Sequence, residues 1–125
     1  MDWTTVYPKK KGFYWSISAT EKISIVKRSG KTGIWGFGGD SILSKNIVSW
    51  GDIIEAPVEG WTKSDPVEEG WYSAEYDDKT KSIIFVAIGS KLHCYDYEIP
   101  SEIDMRTVVN WNGPYKIPSP PPVKK

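Results

Sequence analysis

His93 and Cys94, the only histidine and the only cysteine in the chain, are the residues best equipped for chemistry. A thiol beside an imidazole is the composition of a nucleophile with its base. Direct adjacency argues against that use, because successive side chains of a strand point to opposite faces. The expected arrangement is a buried thiol on the Leu92 face and an imidazole beside Tyr95 and Tyr97 on the other. One histidine and one cysteine, with no ligand spacing around them, make no transition-metal site. Neither a metal nor a cofactor is expected.

Ser29-Gly30-Lys31-Thr32 resembles the end of a phosphate-binding loop. That motif needs a glycine at position 25, where Ile25 stands, and a helix after the threonine to aim backbone amides at the anion. Gly33-Ile34-Trp35-Gly36 cannot supply the helix, so a hairpin turn is the better reading. The acid pairs Glu68-Glu69 and Asp77-Asp78 fall where turns are expected and lack the alternating pattern of a calcium loop. They read as solvated turns rather than a general acid and base, and the chain is not expected to be an enzyme.

Binding is better represented. Gly33 to Asp40 sets Trp35 and Phe37 among four glycines, and such a loop can approach a partner's backbone closely while the rings supply contact area. The same residues could equally form bulges with both rings turned into a core. The candidate contact residues are therefore Trp35, Phe37 and Asp40 in the first half, with His93, Tyr95 and Tyr97 in the second.

An internal duplication must position these residues. Trp3-Thr4, Pro8, Gly12 and Tyr14 return as Trp61-Thr62, Pro66, Gly70 and Tyr72, an offset of 58 positions. Each copy closes on a second anchor, Val48-x-Trp50 with Pro57 and Val109-x-Trp111 with Pro118, offset by 61. Repeat 1 is read as residues 3–58, repeat 2 as 61–118, and residues 119–125 as a Pro/Lys-rich exposed tail favouring an extended polyproline conformation. The join through Pro57, Gly60 and Pro66 is a tight connection rather than a flexible linker. A repeat of this length is marginal for a core of its own, so the halves are expected to share one within a single compact domain.

Phe13, Trp15 and Ile17 alternate with smaller residues, the period of a half-buried strand. In the second copy the alternation falls on Tyr72, Ala74 and Tyr76, which leaves two options: both faces covered, or a bulge in one copy. Ile23 to Lys27 and Ser82 to Ile88 follow polar turns and read as hairpin partners. The second is an unbroken apolar run expected in a central position, whereas the first ends in Lys27-Arg28 and is expected nearer an edge. Third strands are predicted at 33–37 and 91–97, short helical turns near 41–46 and 101–106, and a short final strand at each Val-x-Trp. The fold class is mainly β: antiparallel sheets from two tandem three-to-four-stranded repeats with pseudo-two-fold symmetry, as a sandwich or a partly open barrel.

The 125 residues carry 16 basic and 16 acidic side chains, so no global field favours nucleic acid or an anionic membrane. No apolar stretch approaches the ~18 residues of a membrane span, and no signal peptide is visible. A single cysteine fits a reducing compartment, and a cytoplasmic location is expected. Seven tryptophans, seven tyrosines and three phenylalanines suit broad β surfaces. They could also stack on sugars, although a β core uses such residues first.

The unit Trp-x4-Pro-x3-Gly-aromatic-Tyr, followed by apolar strands, Val-x-Trp and a proline-rich close, resembles a small uncharacterised domain common in phage and prophage genomes. Trp3, Pro8, Gly12, Trp50 and Pro57 carry the likeness in repeat 1, where the full proline cluster is lacking, and Trp61, Pro66, Gly70, Trp111 and Pro118 to Pro122 carry it in repeat 2. The resemblance implies a setting rather than a mechanism. The expected function is non-catalytic binding of another protein by a phage-type accessory factor, inhibiting a host protein by occlusion. The alternatives are a carbohydrate- or small-ligand-binding β module and a virion assembly protein, for which a homo-oligomer is compatible with the sequence.

Overall fold

The structure, a computed structural model, describes residues 3–29, 33–36, 41–97 and 102–118. Strands β1 (Gly12–Ser18), β2 (Ile23–Ser29), β3 (Gly33–Trp35) and β4 (Ile47–Ile54) form one antiparallel sheet in the order β3-β2-β1-β4. Strands β5 (Gly70–Tyr76), β6 (Lys81–Ile88), β7 (Leu92–Tyr95) and β8 (Val108–Asn112) form a second, in the order β7-β6-β5-β8. The protein is mainly β, and the second sheet repeats the topology of the first. Two compact units result, one built on each sheet. Among the described residues the only helical turns are of 3-10 type, at Ser44–Asn46 and Met105–Thr107.

The duplication extends to individual hydrogen bonds. Thr4 and Trp50 exchange backbone bonds of 2.9 and 2.7 Å, as Thr62 and Trp111 do at 2.9 and 2.8 Å. The Tyr14 hydroxyl donates to the Lys10 carbonyl at 2.6 Å, and the Tyr72 hydroxyl to that of Glu68 at 2.7 Å. The first hairpin turn passes through Glu21 at φ 64° and its counterpart through Lys79 at φ 72°. Gly12 and Gly70 enter their strands at φ 149° and 152°, where a side chain is strained. A Cβ there would also lie 2.9 Å from Ile53 Cδ1 or 3.2 Å from Pro114 Cβ, which accounts for the repeated glycine.

Two expectations change. β2 is an interior strand bonded to both β1 and β3, although Lys27-Arg28 pointed to an edge. The Arg28 side chain is buried, its guanidinium 5.0 Å from the centroid of the Tyr7 ring, a cation–π contact that favours the charge there. The closing Val-x-Trp strand of repeat 1 is not short. β4 runs for eight residues and crosses to the free side of β1, which makes the meander's first strand central.

The opposite alternations of the two copies resolve together. Tyr14 to Ile17 are all buried, and so are Trp71 to Ala74, so each leading strand has both faces covered. Register shifts also occur in both the β1–β4 and β5–β8 pairings. Each unit has a buried cluster. Tyr14, Val26, Ile34 and Trp50 form one, and Tyr72, Ala74, Ile84, Val86, Cys94, Val108 and Trp111 form the other. A ring of tryptophan size buries 150–250 Å², roughly 4–6 kcal/mol of transfer free energy, so Trp50 and Trp111 dominate their clusters.

Candidate binding site

Of the candidate contact residues, Trp35 lies on β3 and His93 and Tyr95 on β7, the equivalent strand of the second sheet, whereas Tyr97 follows β7. Trp35 ends β3 opposite Lys27, and Tyr95 ends β7 opposite Phe85, the same register position in the two sheets. Both rings are half-buried. His93 lies on β7 and meets Glu102, Nδ1 to Oε1, at 2.9 Å, while adjacent Cys94 is buried on the opposite face. Burial, with the negative charges of Glu102 and Asp65, pushes the Cys94 thiol up to about 11, the reverse of an activated nucleophile. Tyr97 is interior at 2 % exposure, and burial raises its phenol. Its ring is therefore no contact surface. Phe37 and Asp40 lie outside the described residues, as does the Gly30 to Thr32 part of the phosphate-loop-like stretch. Beyond that stretch the chain enters strand β3, not the helix that phosphate binding would need.

Asp96, following β7, is buried and accepts from the Tyr76 hydroxyl, from Ser82 Oγ at 2.8 Å and from the Tyr97 amide at 2.6 Å. Burial and the Asp96 charge both push the Tyr76 phenol upward. Three donors hold the carboxylate, so the cluster ties β5, β6 and the end of β7 together rather than presenting a reactive group.

A further candidate surface belongs to repeat 2, and none of the described candidate contact residues lines it. A depression of about 250 Å³ opens between the arm preceding β5 and the end of β8, lined by Thr62, Asp65, Glu68, Tyr72, Trp111 and Pro114, among others. Tyr72 and Trp111 meet edge-on beneath it, and the backbone exchange between Thr62 and Trp111 pins the arm to β8. Two acids and no basic side chain contribute to the lining. The repeat alignment carries the signal, since the 58-position offset pairs Tyr7 with Asp65. Tyr7 packs its ring on Trp50 at 5.5 Å and 73°, and repeat 2 has no ring at the corresponding position.

A second, shallower depression lies between Pro57, Trp61, Glu75, Lys81 and Asn110. It is internally satisfied: the Trp61 indole donates to the Pro57 carbonyl at 2.8 Å, and Asn110 Nδ2 donates to Glu75 Oε1 at 2.6 Å. Among the described residues no three His, Cys, Asp or Glu side chains gather closely enough to hold a metal ion. No helix among them is long and apolar enough to cross a membrane.

Fold and site define a tandem β-repeat protein in which one repeat carries an aromatic-floored, acid-lined depression. No protein-family model, curated protein or solved structure matches the chain.

Proposed function

We propose that the chain is a non-catalytic binding protein that docks another protein through the arm of repeat 2 preceding β5. One observation carries this reading: on the segment leading into β5, Val58 at the join between the repeats and Val67 on the arm of repeat 2 are 93 % and 90 % exposed. Each has side-chain surface whose burial against a partner is worth on the order of 1.5–3 kcal/mol. Rigid attachment adds to this, because an arm pinned to β8 by Thr62 loses little freedom on binding. The resemblance of each repeat to the phage and prophage domain supports an accessory factor of that type, acting on a host protein in the bacterial cytoplasm by occlusion.

The test is affinity capture from a bacterial host lysate with the intact chain and with the double variant Val58→Asp, Val67→Asp, alongside light scattering. A protein retained by the intact chain and lost with the variant is expected. Equal retention by both, or none by either, would overturn the assignment to the arm. A second reading, a small-ligand module, is favoured by the depression over Tyr72 and Trp111.

A further inference from the structure

The two repeats differ most informatively at one place. In repeat 1 the Tyr7 ring lies between Trp50, edge-on at 5.5 Å, and the Arg28 guanidinium, 5.0 Å from its centroid. Repeat 2 keeps the floor, because Tyr72 and Trp111 have the 6.0 Å, near-perpendicular geometry of Tyr14 and Trp50. It loses both groups above that floor: position 65 is aspartate and position 86, opposite Gly70 as Arg28 is opposite Gly12, is valine. Ring and cation are thus missing together, and an anion stands in their stead.

We infer that the depression over Tyr72 and Trp111 is a binding site for an aromatic ring that bears a positive charge. The ring takes the place that Tyr7 fills in repeat 1, and the charge faces Asp65 and Glu68. Repeat 1 supplies the template for the ring's attitude, edge-on to the tryptophan, one of the two favoured geometries for aromatic pairs. The volume of about 250 Å³ accommodates one ring with a short substituent. Charge supplies the second element of recognition. Asp65 is exposed at the rim, yet its charge still reaches the thiol of Cys94 in the cluster beneath. A cation there meets an uncompensated carboxylate, since no basic side chain lines the site. The inference is independent of whether the arm docks a protein, because a free arylalkylamine and an aromatic residue flanked by lysine share the chemistry.

Amide and indole NMR spectra of the full chain, titrated with tyramine, p-cresol and the blocked peptide acetyl-Gly-Tyr-Lys-Gly-amide, test it. Tyramine or the peptide is expected to shift the amides of Asp65, Val67 and Glu68 and the Trp111 indole. Tighter binding of the peptide assigns the ring to a partner chain, tighter binding of tyramine to a free amine, and either supports the site. Asp65→Asn should weaken the charged ligands by about threefold and leave p-cresol unchanged, as expected for a partly exposed ion pair. Asp65→Tyr should close the site to all three. Shifts absent from the arm at millimolar tyramine would overturn the inference, as would undiminished binding to a folded Asp65→Tyr protein or equal binding of p-cresol and tyramine. Should Asp65→Tyr fail to fold, the Asp65→Asn comparison decides alone.

Discussion

Tyr72 and Trp111 meet edge-on, ring centroids 6.0 Å apart and planes at 85°, and the same contact joins Tyr14 to Trp50 at 6.0 Å and 89°. Each tyrosine also anchors the segment before its strand by a hydroxyl bond to the carbonyl four residues back. One residue therefore locks the leading arm, the first strand and the closing strand of each repeat. Tyr72→Phe should cost about 1 kcal/mol through the hydroxyl alone. Trp111→Ala should cost about 3–5 kcal/mol through the cavity it leaves. Urea denaturation followed by circular dichroism checks both, and a Trp111→Ala loss below that of Tyr72→Phe would contradict the anchoring role.

Tyr7 to Asp is the converse of the pocket-closing change. Removing the ring takes one edge contact from Trp50 and the Tyr7 face from the buried Arg28 guanidinium. The loss should be about 1–2 kcal/mol, and the variant should acquire a depression over Trp50. A melting temperature equal to that of the unmodified protein would show that Tyr7 does not pack in solution.

Asp96→Ala should destabilise repeat 2 by about 3 kcal/mol or more, because three donors lose one acceptor inside the fold. Adding Tyr76→Phe and Ser82→Ala to that variant should recover part of the loss, since two of the orphaned donors are then removed. Additive damage in the triple variant, measured by the same denaturation, would argue that the cluster does not act as a unit.

Cys94 should react slowly with a disulfide reagent at pH 8 in the folded protein and at the rate of a free thiol in urea. The residue is 1 % exposed, and burial pushes its thiol up to about 11. Rapid native labelling would mean that β7 opens far more readily than its pairing with β6 implies.

Stability should fall in alkali. Below the ordinary thiol value of 9.0 the folded and unfolded chains both hold the Cys94 proton, and its contribution is fully present. Between 9.0 and about 11 the unfolded chain releases that proton first, so rising pH draws the equilibrium toward unfolding. Tyr14, Tyr72, Tyr76, Tyr97 and Tyr115, all raised chiefly by burial, add losses of the same sign from their ordinary value of 10.0 upward. Urea midpoints at pH 7.5, 9 and 10.5 should decline in that order, and less steeply for Cys94→Ala between 9 and 10.5. Flat midpoints would contradict the burial of these groups.

The sequence by itself determined the duplication, the β class, the hairpin turns at 19–22 and 77–80 and the opposed faces of His93 and Cys94. These follow from local chemistry: period-two alternation, polar turn residues between apolar runs, and a glycine and a tryptophan repeated in each copy. Tertiary structure alone decided the rest. It set β4 and β8 beside β1 and β5, which made those leading strands central, and it paired β3 with β2, which made β2 interior despite Lys27-Arg28. It carried Tyr97 inside and assembled the Asp96 cluster from side chains up to 20 positions apart. The depression over Trp111 is the clearest case. The exchange of Tyr7 for Asp65 is visible in the aligned repeats, but only the fold brings an arm and a closing strand almost fifty residues away to the two sides of that ring-sized gap. Strand order and cavities depend on contacts between residues far apart along the chain, whereas the sequence pattern reports which face of a strand is apolar and not what will stand against it.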